Sequence, residues 1–363
     1  MGHIIPGIAL ALAAWREGLK IVIATYSQGY EFLRQHDQLD FDYELVRLTV
    51  PDSHKDWPGI CPYDNGVQEL IPLVRRTGAE LCFFVGEYIV GPLLASLSCT
   101  TVSLFNPEIL IDTPKNQDPS AYLCRMIAQS DYVIPLAPVP EGHELIAEMD
   151  LIVDRIIATG PFVFPLPAEV AGDAHRPLIL IANGGGIQFP ATTDSYSSTG
   201  ISPDLWIQES YEYTRAAIQA ALEMLKGDGE IHVYSCLGKE HNQLLQALGD
   251  RDVLHVNNVS PEFYRYLPQA DLVVSRSGIG FLADIEQLDC YRIIWALCGH
   301  DEQALNAQAF VQQHDKAYFC NEPQAMHELF SDIQRGLTGF QSQPPMHRRD
   351  RAGLAISELL KCL

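Results

Sequence analysis

The sequence predicts an α/β protein built from two parallel-sheet domains, and three observations lead to this fold class. Apolar strand-like runs alternate with helical stretches along the whole of the 363-residue chain. The connections between them are short, which is typical of βαβ units with helices on both faces of a parallel sheet. The length exceeds that of one ordinary core and fits two domains.

The first half of the chain contains six predicted strands and five predicted helices. The strands are residues 20–26, 43–49, 81–85, 101–105, 132–134 and 155–158. The helices are residues 5–18, 28–36, 66–78, 88–97 and 118–129. We interpret the apolar stretch Ile4–Trp15 as a buried helix and not as a signal peptide, because Pro6 and Gly7 interrupt it and no basic region precedes it.

The second half repeats the alternation, with five predicted strands and seven predicted helices. The strands are residues 178–182, 231–235, 253–256, 272–275 and 293–297. The helices are residues 204–226, 239–249, 261–267, 279–289, 301–314, 323–335 and 350–361.

Prolines and small residues interrupt this pattern between Gly160 and Pro177, which places the domain boundary there. The predicted organisation is an N-terminal domain at 1–162, a linker at 163–176, a C-terminal domain at 177–340 and a helical tail at 341–363. Ligands of doubly wound sheets bind at the carboxyl ends of the strands. The cleft between the two domains is therefore the expected binding site.

Composition excludes several classes of function. Hydrophobic residues make up 47% of the chain and the net charge is −22, spread evenly over both halves. Nucleic acids and anionic lipids are disfavoured partners, because both require basic patches. No apolar run approaches the roughly 20 residues of a membrane helix, so stable membrane insertion is not expected.

The nine cysteines are scattered and never spaced C-x-x-C, which indicates reduced, buried thiols in a cytoplasmic protein. No paired Cys/His spacing predicts a metal site, and no cofactor is expected.

Three polar turns follow predicted strands in the second half. In the first, Asn183 leads into Gly184, Gly185 and Gly186, whose backbone N–H groups can approach a phosphate without a Cβ in the way. Many βα turns are equally rich in glycine, so this turn alone does not predict a ligand.

The second turn is Ser275-Arg276-Ser277-Gly278, at the start of a helix that carries Asp284. Hydroxyls, the helix dipole and Arg276 would stabilise a diphosphate leaving group. Asp284 would accept hydrogen bonds from ribose hydroxyls. The alternative is a capped helix with a surface acid.

The third turn, Gly299–Ala307, contains His300, Gln303 and Asn306 and follows the strand at 293–297. Its donors and acceptors suit a sugar, and they equally suit an ordinary acidic first turn of a helix.

Further candidates follow strands in the first half, or begin its first helix. His3 lies at the start of that helix, where an imidazole is either a general base or a structural residue. Glu87 and Tyr88 follow the strand at 81–85, and Asn106 and Glu108 follow the strand at 101–105. All of these positions fall at the same edge of the predicted sheets.

The order of these turns resembles that of the MurG-like glycosyltransferases, family 28 of the GT-B fold with its two Rossmann-like domains. Gly2-His3 with Pro6 looks like the end of the G-G-H-x-x-P loop of that family, and Gly86-Glu87-Tyr88 with Gly91-Pro92 looks like its G-G-Y-x-x-G-P turn. Asn106-Pro107-Glu108 stands where the family has a polar stretch near the acceptor. Ser275–Gly278 is similar to its C/S-R-S/G-G element, and Gln303 with Asn306-Ala307 is similar to its Q-x-x-N-A helix.

The resemblance implies inverting, metal-independent transfer of a sugar from a nucleotide-sugar, usually UDP-linked, to an acceptor hydroxyl. The C-terminal half would hold the donor and the N-terminal half the acceptor. His3 matches the general base, with Glu108 or Glu87 as alternatives beside Tyr88 and Asn106. The acidic acceptor half does not suit membrane docking, so the resemblance favours a soluble or unknown acceptor over lipid II synthesis.

Three departures qualify the resemblance. Asp284 stands where the family has a ribose-binding Glu, and Phe281 replaces a small hydroxyl residue of lipid II synthase. A GT-B domain also has a strand before its glycine loop. We expect either that the start was assigned late or that the protein lacks this strand.

Two other functions remain open: a GT-B-fold UDP-sugar epimerase, and a non-catalytic nucleotide-sugar-binding subunit. An NAD-dependent oxidoreductase is disfavoured, because no G-x-G-x-x-G followed by an acid succeeds a first strand.

Overall fold

The computed structural model describes residues 4–25, 27–35, 39, 41–48, 66–85, 97–105, 129–136, 155–164, 176–183, 203–286, 288–336 and 350–362. The chain divides into two compact units. The first unit holds the described residues up to Val163 together with the C-terminal residues 350–362, and the second holds the described residues from Phe164 to 336.

The first unit begins with alternating helices and strands. These are α1 (Ile4–Arg16), β1 (Ile21–Thr25), α2 (Ser27–Gln35), β2 (Tyr43–Arg47), α3 (Gly66–Thr77), β3 (Leu81–Val85), β4 (Thr100–Phe105) and β5 (Tyr132–Pro135). Strands β1 and β2 pair in parallel, and β3, β4 and β5 form a second parallel sheet in that order.

The second unit also alternates strands and helices. These are β6 (Leu178–Ala182), α4 (Pro203–Leu225), β7 (Glu230–Ser235), α5 (Lys239–Gln246), β8 (Leu254–Asn258), α6 (Phe263–Tyr266), β9 (Leu272–Arg276), α7 (Ile279–Glu286), β10 (Tyr291–Trp295), α8 (Asp301–Gln313), β11 (Ala317–Cys320) and α9 (Met326–Gly336). The last helix of the chain, α10 (Arg351–Cys362), returns to the first unit.

Helix α10 packs against α1 in the first unit. Its buried residues Ala355, Ile356 and Leu359 follow helical spacing and form one apolar face. The guanidinium of Arg351 donates a hydrogen bond from Nη1 to the carbonyl of Pro161 at 3.1 Å. Burial of the apolar face therefore fixes the C-terminal segment on the N-terminal unit.

The six strands of the second unit form one parallel sheet in the order β8-β7-β6-β9-β10-β11. Strand β6 is buried along its whole length, which explains its uninterrupted apolar sequence. The strand order reverses between β6 and β9, as in the doubly wound sheets that bind nucleotides. Such a reversal leaves a crevice at the carboxyl ends of these two strands, where ligands bind.

Helix α4 covers one face of this sheet through a continuous hydrophobic core. Within that core the ring of Tyr213 stacks on Trp295 of β10, with ring centroids 4.6 Å apart. A stacked aromatic pair contributes about 0.5–1.5 kcal/mol beyond its buried area. The core thus ties α4 to the strand that precedes the third polar turn.

The predicted α/β class and GT-B fold are confirmed. Most strands begin and end within two residues of the prediction, but β11 was not predicted. It has four residues and only Ala317 and Cys320 are buried, so its apolar pattern is short. The strand predicted at 155–158 is wrong, because only Ile156 forms a bridge, with Val133. The helices predicted at 88–97 and 118–129 lie almost wholly outside the described residues.

The cysteine expectation holds in part. The described cysteines are free thiols, and Cys290 and Cys320 are buried, whereas Cys298 and Cys362 are exposed. Among the described helices, none has the length and apolarity needed to span a bilayer.

Candidate functional site

The described residues of the three polar turns of the second half lie at one edge of the six-stranded sheet. In register, Ala182 of β6 is opposite Ser275 of β9, and Ile294 of β10 is opposite the other side of Ser275. Because parallel neighbours end at the same edge, Asn183 at the end of β6 and the turns after β9 and β10 come together there. The sequence-predicted Asn183, Ser275–Gly278 and His300–Asn306 therefore belong to one region of the second unit.

The β9–α7 turn is held by backbone and hydroxyl hydrogen bonds. The amide of Ser277 donates to the carbonyl of Trp295 at 2.9 Å, and its Oγ donates to the carbonyl of Gln303 at 2.7 Å. Ser275 is fully buried, and its Oγ has no hydrogen-bond partner among the described residues. A buried unpaired hydroxyl costs free energy, so a polar partner at this oxygen would be stabilising.

Gly278 begins helix α7 and leaves room beside it. Its carbonyl accepts the amide of Leu282 at 3.0 Å, so the helical hydrogen bonds start here. A Cβ at this position would meet no described heavy atom within 4 Å. The first N–H groups of a helix lack intrahelical acceptors and attract anions. Arg276, half-buried, ends β9 two residues before Gly278.

Helix α8 is braced against the β9–α7 turn. Asn306 donates from Nδ2 to the carbonyl of Ser277 at 3.4 Å, and Oε1 of Gln303 accepts the amide of Leu297 at 3.3 Å. Both side chains are buried, at 8% and 7% exposure. They connect the second and third turns to each other, and their contact with a donor stays a prediction.

His300 occupies the N-cap position of α8, where its side chain makes no capping hydrogen bond, and it is half-buried. Its ring stacks against that of Trp206 on α4, with centroids 5.6 Å apart. The stack holds the imidazole at the carboxyl edge of the sheet, where the predicted contact with a donor remains untested.

Asn183 is buried among polar partners at the end of β6. Its Nδ2 donates to the hydroxyls of Thr214 and Ser235, at 3.2 and 3.3 Å. Its Oδ1 accepts the amide of Cys236 at 3.1 Å. The side chain thus ties the end of β6 to α4 and to the end of β7.

Asp284 is 1% exposed, so the alternative of a surface acid is wrong. One carboxylate oxygen accepts the amide of Phe164 at 2.7 Å, and the other accepts the hydroxyl of Tyr264 at 3.0 Å. The rings of Phe164 and Tyr264 stack at 3.9 Å. This arrangement occupies both oxygens, and the predicted ribose contact has no support from it.

Two residues on α4, Trp206 and Glu209, were missed by the sequence analysis. Both oxygens of Glu209 lie 3.0 Å from the amide of Cys298, in the turn after β10. Burial raises the pKa of the Glu209 carboxyl above its ordinary value. Trp206 and Glu209 are three residues apart and share one helix face. No local signal identifies them, because their partners in the chain lie about 90 positions away.

Several predicted residues lie outside the described part of the chain. These are His3, Glu87, Tyr88, Asn106, Glu108, Gly184, Gly185 and Gly186. Their assigned roles as base, acceptor contacts and phosphate loop stay predictions.

Comparisons with known proteins give one family and several structures. Residues 211–358 match the model of the glycosyltransferase family 28 C-terminal domain. A putative UDP-N-acetylglucosamine 2-epimerase from Listeria monocytogenes is 12% identical with a TM-score of 0.58, over 98% of this chain and 91% of that one. The glycosyltransferase SnogD from Streptomyces nogalater is 13% identical with a TM-score of 0.56, over 100% and 97%. Arabidopsis thaliana UGT89C1 complexed with UDP is 11% identical with a TM-score of 0.56, over 99% and 91%.

The sequence matches none of the curated proteins. Identities this low show the shared fold alone, whereas the family match covers the stretch from α4 to α10. The family match confirms the resemblance to the family 28 glycosyltransferases for residues 211–358, and it supports glycosyl transfer as the reaction class.

Proposed function

We propose, for a chain that carries a family 28 C-terminal domain on a GT-B fold, that it transfers a sugar from a nucleotide-sugar to an acceptor hydroxyl. The donor is UDP-linked and binds the second unit, and the acceptor binds the first unit. The observation that carries the proposal is the β9–α7 turn at the reversal of strand order. There a buried, unpaired hydroxyl and an arginine adjoin the open N-terminus of a helix.

The donor diphosphate binds at this helix N-terminus. The first amides of α7 and the guanidinium of Arg276 are both attractive to a dianion, and Gly278 leaves the space that a phosphate requires. Ser275 Oγ donates to or accepts from the same ligand. UDP as the nucleotide is supported by the family resemblance and by UGT89C1, which has the same fold and was solved with UDP.

Helix α8 forms the part of the proposed donor site that adjoins the β9–α7 turn. Because Gln303 and Asn306 hold α8 to the turns after β9 and β10, we assign them a positioning role. His300 at the head of α8 is the candidate for direct contact with the donor. We also assign positioning roles to Asn183, which accepts the amide of Cys236 after β7, and to Asp284, which holds Phe164 and Tyr264 in place.

The reaction is a single displacement. The acceptor oxygen attacks the anomeric carbon from the face opposite the diphosphate, so the configuration inverts. The bond from that carbon to the diphosphate oxygen breaks, and its electron pair leaves with the diphosphate. A base takes the acceptor proton, with His3 as the first candidate and Glu108 or Glu87 as alternatives. Arg276 and the α7 amides stabilise the leaving charge without a metal ion.

The test has two stages. First, UDP, TDP and GDP are compared by thermal shift, where UDP should raise the melting temperature most. Second, release of UDP from a panel of UDP-sugars is measured with and without candidate acceptors. Release that depends on acceptor supports the transferase.

Arg276→Ala supplies the site-specific variant. Loss of a charge-assisted hydrogen bond of about 1.5–3 kcal/mol should weaken UDP binding by roughly 10- to 100-fold. The control is Arg335→Ala on α9, whose side chain is exposed and paired with Asp332. If no nucleoside diphosphate raises the melting temperature, the donor site is misassigned. Interconversion of UDP-sugars without acceptor indicates the epimerase, and binding without turnover indicates a non-catalytic subunit.

A further inference from the structure

Three side chains that can ligate a metal meet on two neighbouring strands of the second unit. Glu230 and His232 are two residues apart on β7, so both point to the same face of the sheet. His255 of β8 is directly opposite His232 in the parallel register. One ligand atom from each of the three lies within 4.8 Å of the other two.

His232 is buried and only partly satisfied. It is 5% exposed, and its Nε2 lies 3.1 Å from Oε2 of Glu230. Its Nδ1 is buried and has no hydrogen-bond partner among the described residues. Glu230 and His255 are half-buried, so the cluster is reachable from solvent.

We propose that Glu230, His232 and His255 bind a divalent transition-metal cation of the Zn²⁺ type, with water as the fourth ligand. Two imidazoles and one carboxylate suit Zn²⁺, Co²⁺ or Ni²⁺, whereas Mg²⁺ and Ca²⁺ prefer oxygen ligands alone. Tetrahedral ligands at about 2.0–2.2 Å from a metal lie about 3.3 Å from one another. The 3.1 Å between His232 and Glu230 matches that separation, and small side-chain rotations bring in His255.

The ion is structural. Among the described strands β8 ends the sheet, and the ion ties it to β7 near the amino-terminal ends of both strands. The proposed donor site lies at the carboxyl ends, so the two sites are independent. Spacing along the chain does not predict this cluster, because Glu230 and His232 are separated from His255 by a whole helix and meet it only through strand pairing.

The test uses the full-length protein without a polyhistidine tag, freed of metal by chelator and dialysis. Co²⁺ is titrated while its visible absorption is followed, and Zn²⁺ is titrated against a chromogenic chelator. Wild type should bind one equivalent of either ion, and Zn²⁺ should raise the melting temperature. His255→Ala and Glu230→Gln should each weaken binding at least tenfold and abolish the rise. These half-buried positions are chosen because replacement of buried His232 risks unfolding.

The matched control is His327→Ala. His327 lies 3.2 Å from Glu223 in an exposed pair that resembles His232 with Glu230, so this variant should bind the ions as wild type does. Absence of binding in wild type, or equal binding in His255→Ala and wild type, would overturn the proposal. Thermal shift by UDP should be the same in all four proteins, which separates this outcome from failure of the donor site.

Discussion

At the scale of single residues, the residues of the candidate site divide into those next to the start of α7 and those whose side chains bind other parts of the protein. Ser275 and Gly278 adjoin the open start of α7, whereas Asn183, Asp284 and Gln303 are engaged by other parts of the second unit. The second group shapes the turns and holds them in place. Variants of the two groups should therefore have different effects.

Asp284 provides the first such distinction. Asp284→Asn should lower the free energy of unfolding by about 1.5–3 kcal/mol, because a charged acceptor of two buried hydrogen bonds is replaced by a neutral one. Tyr264→Phe, which removes one of these bonds and keeps the stacked ring, should cost about 0.5–1.5 kcal/mol. Urea denaturation measures both, and UDP affinity should change less than about twofold. An Asp284→Asn protein of normal stability with much weaker UDP binding would restore the ribose role.

Glu209 predicts a pH dependence of stability. Its pKa is raised in the folded protein, mainly by burial, above an ordinary value of 4.5. Its contribution to stability is therefore present below 4.5 and is lost as the pH rises through the folded pKa. Glu209→Gln does not titrate, and its amide oxygen still accepts the amide of Cys298.

The stability of Glu209→Gln relative to wild type should thus increase as the pH is raised from about 4 to about 7. Urea denaturation at a series of pH values measures the difference. The control is Glu240→Gln, at an exposed position on α5, where the difference should stay flat. A flat profile for Glu209→Gln as well would show that the raised pKa has no effect on stability.

The partners of these residues also show where sequence reasoning ends. The common position of Asn183 and of the turns after β9 and β10 was predictable, because parallel strands end at a common edge. The hydrogen bond from the amide of Phe164 to Asp284 was not predictable, since the two residues are 120 positions apart and no motif joins them. The same holds for Asn183 with Thr214 and for Glu209 with Cys298.

At the scale of elements, long apolar runs were the most predictable features. Strand β6 is buried along its whole length, and its predicted bounds, 178–182, agree with the observed Leu178–Ala182. Short strands at the end of a sheet have too few buried apolar residues to be predicted from the sequence, as the four residues of β11 show. The pairing of α10 with α1 was not predicted, because an amphipathic helix reveals its apolar face and not its partner.

The contact between α10 and α1 can be measured with one matched pair of variants. Leu359→Ala should destabilise the first unit by about 2–5 kcal/mol, because this side chain is fully buried. Leu354→Ala on the same helix is the control, since Leu354 is 51% exposed and its loss should cost less than about 0.5 kcal/mol. Hydrogen exchange of the α1 amides measures the loss of protection. Equal protection in both variants would place the stability of α1 elsewhere.

At the scale of the whole molecule, the proposed donor site and the proposed acceptor site belong to different units. The second unit combines a continuous core, a family 28 match and a reversal of strand order, and these observations support the proposal that it binds the donor. In the first unit the parallel sheets and their order are described, while the proposed base and acceptor residues lie outside the described part of the chain. The central claim is therefore that a nucleoside diphosphate binds at the start of α7.

Calorimetric titration of UDP into wild type and Gly278→Val tests that claim most directly. A Cβ at Gly278 meets open space and its φ is not in the left-handed region, so the variant should fold, with a melting temperature near that of wild type. Its branched side chain would fill the proposed phosphate space, and UDP affinity should fall by more than about tenfold. A folded Gly278→Val protein that binds UDP as tightly as wild type would contradict the account.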